Sequence, residues 1–336
     1  MSRPAPSSVL IAGYYGYGNA GDEAILAALL ADLRTARPDL AVTVVSGDPA
    51  RTLEEHGVQG AVADRDIPAL VEAVRASGLV VVGGGGLFQS YWEVDPGVLL
   101  TARHGGLPSY LGPAVLGAWL DKPVVICGVG VGPLPNESGR EGTRVAFEIA
   151  RRATVRDPES LALLGEIGLP APAAERVELT ADPAFRLAPA APDQVDRRLA
   201  ELGVRPGKPL CAVALRYWDF EADPAVWEGE VARGLDLFLE EFPGRLLFLP
   251  FQQAAGRYED DVAVHRRVAA ALTRAERAAV VDRVLPPAEL AGLLGRCERA
   301  LAMRFHAALF ALAAGVPVAN LAYDPKTRTL MEQAGV

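Results

Sequence analysis

Runs of Val, Leu and Ile that are apolar throughout recur along this chain, each separated from the next by a stretch of helical period. Residues 9–12 precede a helical 23–33, 41–45 precede a helical 67–76, 79–82 follow, and 124–129 precede a helical 143–152. A strand with no polar face must be covered on both sides, and helices that cross over to a parallel neighbour supply that cover. The first half therefore reads as a Rossmann-like α/β domain. After residue 187 the segment APAAPDQVDRRLAELGVRPGKP sets four prolines around one short amphipathic helix, a linker composition. Apolar strands then restart at 210–215, 245–251, 278–281, 300–303 and 316–321, again with helices between them.

At 336 residues the chain exceeds what a single hydrophobic core usually organises. We therefore expect an α/β protein of two Rossmann-like parallel-sheet domains, 1–190 and 191–336, facing a cleft in the GT-B-like manner, with donor and acceptor bound from opposite walls. Residues 331–336 read as the inside of a helix, so further elements of the second domain are expected past them. Hydrophobic residues at 50% and charged residues at 22% exclude a disordered chain. The net charge of -9 has the wrong sign for a protein that neutralises duplex phosphates, so no nucleic acid partner is expected. An anionic small ligand would have to be held by a few local cations.

Cys127, Cys211 and Cys297 lie far apart without a CxxC pair, which suits free thiols in a reducing cytoplasm and no zinc site. No cluster of His, Cys or carboxylates has ligand spacing, so no metal is expected. The N-terminus lacks an apolar region followed by a cleavage site. The longest uncharged apolar stretch, near residues 307–322, is shorter than the roughly 20 residues of a spanning helix. The expected location is cytoplasmic, without a transmembrane segment, or peripheral at the inner face of the cytoplasmic membrane.

Gly16-Tyr17-Gly18-Asn19-Ala20-Gly21 fits GxGxxG between a strand and a helix. A dinucleotide site also needs an acidic residue about 20 positions on, and Asp48 comes later than that. Asp22 and Glu23 place two carboxylates where a pyrophosphate would sit. Two readings remain. Either Asp22 caps the helix, or Asn19, Asp22 and Glu23 bind or deprotonate sugar hydroxyls. Gly83 to Gly86, and Gly128, Gly130 and Gly132, read as loops at the carboxyl ends of strands, where open α/β sheets bind ligands.

In the second half, Arg216 ends one strand, and Arg304 with His306 ends another just before an apolar helix. Lys326 follows a third. Cations converging at one sheet edge, beside a helix N-terminus, suit a phosphate or carboxylate. Arg304 and His306 interrupt a long apolar run, where an unpaired charge is costly. Arg156 could add a cation from the first domain or form a plain ion pair with Asp157.

These segments resemble the polysaccharide pyruvyl transferase family, and its CsaB type in particular. The resemblance rests on Gly13-Tyr-Tyr-Gly-Tyr-Gly-Asn-Ala-Gly-Asp-Glu-Ala-Ile25, the glycines 83–86 through Phe88, Gly128-Val-Gly-Val-Gly-Pro133, Val155-Arg-Asp157, Thr180-Ala-Asp-Pro-Ala-Phe185 and Met303-Arg-Phe-His306. It implies a GT-B-like fold, phosphoenolpyruvate as co-substrate with no cofactor, and a donor site of Arg304, His306 and Arg216. It also implies a saccharide acceptor, N-acetylmannosamine ketalised at O4 and O6, in a secondary cell-wall polymer or its lipid-linked precursor, as in S-layer anchoring. A ketal needs a proton for the methylene carbon, a base for each hydroxyl and cations on the departing phosphate. His306 suits the phosphate or its proton, and Asp22 or Glu23 the hydroxyls. Rival readings are a nucleotide-sugar glycosyltransferase, with Glu289 as ribose ligand, an NAD-dependent oxidoreductase, and a carbohydrate-binding protein.

Overall fold

The computed structural model describes residues 6–91, 94–204, 207–219, 222–254, 256, 258 and 260–336. Two compact units result. The first comprises Met1–Tyr17 and Ile25–Pro183, the second Gly18–Ala24 and Ala184–Val336.

In the first unit the strands are β1 (Ser8–Ala12), β2 (Ala41–Ser46), β3 (Gly60–Ala63), β4 (Leu79–Phe88), β5 (Val124–Val131), β6 (Arg152–Val155) and β7 (Val177–Leu179). They form one parallel sheet in the order β3-β2-β1-β4-β5-β6-β7. Its helices are α1 (Ala20–Ala36), whose first five residues belong to the second unit, α2 (Pro49–His56), α3 (Ile67–Ala76), α4 (Leu107–Trp119), α5 (Glu137–Ile149), α6 (Pro158–Glu166) and α7 (Ala171–Ala174). Successive strand residues point to opposite faces. Val9 and Ile11 accordingly enter a core with Val42 and Val44, while Leu10 and Ala12 enter another with Val80 and Val82. Two cores on two faces explain why these strands have no polar side.

The second unit contains α8 (Pro192–Glu201), β8 (Leu210–Ala214), α9 (Pro224–Glu241), β9 (Arg245–Phe248), α10 (Asp261–Ala271), β10 (Ala278–Val280), α11 (Pro287–Gly295), β11 (Arg299–Ala302), α12 (Phe305–Ala313), β12 (Val318–Asn320) and α13 (Pro325–Gln333). Its parallel sheet runs β10-β9-β8-β11-β12. The final helix ends at Gln333, so residues 334–336 are not the inside of a helix as the sequence suggested. Cys211 and Cys297 are buried and Cys127 is half-buried, all as free thiols. Among the described residues no helix is long and apolar enough to cross a membrane.

The glycine segments expected as loops lie within strands instead. β4 runs through Gly83 to Gly86 and β5 through Gly128 and Gly130, with a shift of register between Gly85 and Phe88. Gly84 adopts φ +60°, and a Cβ there would lie 2.0 Å from Ile25 Cγ2. A glycine bulge turns the strand without ending it, and this is why the sequence looked like a loop.

Candidate functional site

In each sheet the chain reverses its direction of winding next to the first strand, between β1 and β4 and between β8 and β11. Ligands of open α/β sheets bind outside the carboxyl ends of the strands at such switch points. Arg216 lies two residues past β8, Arg304 two past β11, and Lys326 enters α13 after β12. The three follow adjacent strands of the second sheet.

The hydrogen-bond partners of Arg216 are neutral. Its Nη1 donates to the Tyr323 hydroxyl at 3.1 Å and its Nη2 to the Tyr258 carbonyl at 3.4 Å. The guanidinium carbon sits 5.6 Å from the Trp218 ring centroid and 5.4 Å from that of Tyr323, within cation–π range. Its buried Nε has no hydrogen-bond partner. Burial alone would raise the Tyr323 phenol, but the charges of Lys326 and Arg216, with Arg304 adding, hold it below its ordinary value. One phenol thus senses all three cations.

Arg304 differs. It is 6% exposed, and its Nε donates to both carboxylate oxygens of Asp261, at 3.1 and 2.9 Å, while Nη1 reaches Gln252 Oε1 at 3.1 Å. Asp261 Oδ2 also accepts from the backbone N–H groups of Phe251 and Gln252. The charge in the apolar run is therefore paired, and Arg304 organises the segment after β9. Lys326 Nζ pairs with the buried Asp324 at 3.1 Å. Three cations stand against two buried carboxylates, so the site is less positive than the sequence implied.

The segment Gly18–Ala24 is part of this unit. Asn19 bridges Gln252, and Ala20 N–H donates to the Phe251 carbonyl at 2.7 Å. His306, the second residue of α12, lies against Gly21, where a Cβ would fall 2.0 Å from its Nδ1. Only glycine admits the imidazole there. The cap of α1 is Asn19, whose Oδ1 accepts from Gly21 N–H at 3.0 Å, and Asp22 is buried in the first turn. Asn19, Asp22 and Glu23 thus belong to the same unit as Arg216, Arg304, His306 and Lys326, and His306 packs on their segment at Gly21. The N-terminus of α12 has no side-chain cap hydrogen bond.

Arg156 belongs to the first unit. Its Nη1 pairs with Asp182 at 2.8 Å, and its Nε lies 3.5 Å from Asp157. Glu289, considered as a ribose ligand, accepts from Arg198 at 2.7 Å in an ion pair. The sequence reading missed Tyr217, Trp218 and Tyr258, although Tyr217 and Trp218 directly follow Arg216, and it missed Asp261 as the partner of Arg304.

Two parallel α/β units of Rossmann-like strand order, with cations at the carboxyl edge of the second sheet, define a GT-B-like fold. Solved structures share this fold. The UDP-GlcNAc 2-epimerase from Methanocaldococcus jannaschii matches with a TM-score of 0.65 at 10% identity, covering 98% of this chain and 92% of its own. The enzyme of the same name from Neisseria meningitidis, bound to UDP-GlcNAc, matches at 0.58 with 10% identity, covering 96% and 85%. The E. coli ADP-heptose LPS heptosyltransferase II matches at 0.51 with 11% identity, covering 93% and 84%. No curated protein sequence matches. The polysaccharide pyruvyl transferase family matches residues 19–325, and the chain belongs to that family. It is a pyruvyltransferase that acts on a saccharide acceptor.

Proposed function

We propose that the protein transfers the pyruvyl group of phosphoenolpyruvate, as a cyclic ketal, onto two hydroxyls of one sugar and releases phosphate. The observation that carries this reading is Arg216, a cation with a buried, unpartnered Nε and no described carboxylate in an ion pair with it. A donor with a phosphate and a carboxylate on three carbons meets that need.

The methylene carbon of the donor takes up a proton and becomes the ketal methyl group. One sugar hydroxyl bonds to C2 and loses its proton, the C2–O bond to phosphate breaks, and the second hydroxyl closes the ketal with loss of its proton. Of the two protons given up, one balances the methylene and one leaves on the phosphate. Arg216 and Lys326 hold the donor, and Arg304 contributes its charge and the N–H groups not spent on Asp261 and Gln252. His306 serves the departing phosphate, and Asp22 the hydroxyl side, with Asn19 and Glu23 beside it. Neither metal nor organic cofactor enters this scheme.

By resemblance to the CsaB type, the acceptor is N-acetylmannosamine, ketalised at O4 and O6, in a secondary cell-wall polymer or its lipid-linked precursor. Action on such a precursor places the enzyme in the cytoplasm or at the inner face of the membrane. Phosphorus and proton NMR of the protein with phosphoenolpyruvate and an N-acetylmannosamine glycoside is the test. Phosphate should appear together with a ketal methyl resonance, and neither should form without the sugar. Absence of both with a range of acceptor glycosides would refute the reading.

A further inference from the structure

A second cluster of reactive side chains lies wholly within the first unit, at the carboxyl edge of its sheet. Tyr14 and Tyr17 follow β1, Asp64 follows β3, and His104 stands between β4 and α4. Gly16, at φ +78°, turns the chain so that Tyr14 and Tyr17 fall on one side and stack with centroids 4.4 Å apart and planes 7° from parallel. Tyr15 turns inward, fully buried, and donates to the Gly83 carbonyl. A Cβ at Gly47 would meet the Tyr17 ring at 2.7 Å, so the glycine gives the ring its seat.

The polar edge of this stack is ordered. Tyr17 donates its hydroxyl to Asp64 Oδ2 at 2.5 Å, and His104 Nδ1 lies 3.2 Å from the same oxygen. Burial, then the hydrogen bond to Asp64, raises the Tyr17 phenol, which stays protonated. Burial opposes ionisation of Asp64, but the hydrogen bonds from His104 and Tyr17 outweigh it and hold the carboxyl below its ordinary value. With Nδ1–H directed at the carboxylate, the imidazole presents Nε2 as an acceptor. Among the described residues neither Nε2 of His104 nor Oδ1 of Asp64 has a hydrogen-bond partner. The side chains of His104 and Asp64 are 22% and 16% exposed, so a solute can reach them.

We infer that Tyr14, Tyr17, Asp64 and His104 form a saccharide-binding site of the first unit, in which a pyranose ring lies on the tyrosine stack and gives hydroxyl hydrogen bonds to Asp64 and His104. A flat π surface edged by two acceptors fits a ligand with an apolar C–H face and a rim of O–H donors. The ionised carboxylate repels an anion, so this site does not suit phosphoenolpyruvate. The inference rests on the proposed function for calling the sugar the acceptor, and on the first unit alone for its binding.

The test uses the whole chain and the methyl glycoside of N-acetylmannosamine, without phosphoenolpyruvate. Saturation-transfer NMR should show transfer to the sugar ring protons, and calorimetry should show binding about tenfold weaker for Tyr14→Ala and for His104→Gln. In the wild type, the His104 ring resonances should shift on sugar addition, a readout that needs no variant. In turnover, both variants should raise the acceptor KM and leave phosphoenolpyruvate binding unchanged. Sugar binding that is absent from the wild type, that survives both substitutions, or that leaves His104 unshifted would overturn the inference. Intact sugar binding without phosphate release from phosphoenolpyruvate would instead refute the proposed function.

Discussion

Arg216 and Arg304 end neighbouring strands, yet they differ in what they have left to offer a ligand. Arg304 spends its Nε and much of its fork on Asp261 and Gln252, whereas Arg216 has aromatic neighbours and an unpartnered Nε. Arg216→Gln should therefore raise the donor KM and lower kcat, for a combined loss of about 10²- to 10³-fold in kcat/KM, with thermal stability near that of the wild type. Arg304→Gln leaves a buried carboxylate unpaired and should destabilise by about 3–5 kcal/mol, read by denaturant unfolding. Equal donor KM values for Arg216→Gln and the wild type would count against Arg216 as the donor cation. Asp22 admits a similar separation. Asn19 carries the cap of α1, so Asp22→Asn should keep the fold and donor binding while losing about 10²- to 10⁴-fold in ketal formation, followed by the ketal methyl resonance. Which residue types end the strands was readable in the sequence, because charges inside apolar runs stand out. Their pairing was not, because Asp261 is brought to Arg304 by tertiary structure from 43 residues away.

The elements were largely readable where their strands are apolar on both faces. β1, β2, β8 and β11 lie within a residue or two of their expected ends, and α3 spans Ile67–Ala76 as its period indicated. The bulged ends of β4 and β5 were hidden because a glycine at positive φ has the same sequence signature in a strand as in a turn. Short elements such as β3, β7 and α2 bury too few side chains to leave a periodic signal. One element carries a pH dependence. His265, on α10, is fully buried and accepts the Leu215 N–H at Nε2, fixing the end of β8 one residue before Arg216. Burial depresses its pKa from 6.5 to about 4, with Arg304 lowering it further and Asp261, the Leu215 carbonyl and Asp260 opposing. Unfolded, the imidazole takes its proton near pH 6.5. Folded, it resists until about 4, so between these values the unfolded chain binds more protons. The neutral imidazole's contribution is complete above pH 6.5 and is lost as the pH falls towards 4, by about 3 kcal/mol. Denaturant midpoints measured from pH 7 to 4 should fall in the wild type and fall less in His265→Gln. Parallel curves would show that His265 does not titrate in this window.

At the scale of the molecule, the two-sheet architecture was readable because the apolar pattern stops at a proline-rich stretch and starts again. The membership of Gly18–Ala24 in the second unit was not, since that segment sits between β1 and the body of α1 in sequence. Its contacts with Phe251, Gln252 and His306 bring this early segment against residues from late in the chain. The same architecture occurs in a 2-epimerase bound to UDP-GlcNAc, at 10% identity, a level at which only the fold is shared. What this chain binds must follow from its own side chains. Arg216 offers guanidinium donors to an anion, and Glu289, the carboxylate considered as a ribose ligand, is ion-paired with Arg198. Phosphoenolpyruvate at about 100 times its Kd should then stabilise the protein by about 2.7 kcal/mol and raise Tm by a few degrees. UDP-GlcNAc at the same concentration should leave Tm unchanged, and EDTA should abolish neither the shift produced by phosphoenolpyruvate nor turnover. Arg216→Gln should lose most of the shift. A larger shift with UDP-GlcNAc than with phosphoenolpyruvate would reverse the assignment of the donor, and loss of turnover in EDTA that magnesium restores would add a metal that the proposed scheme lacks.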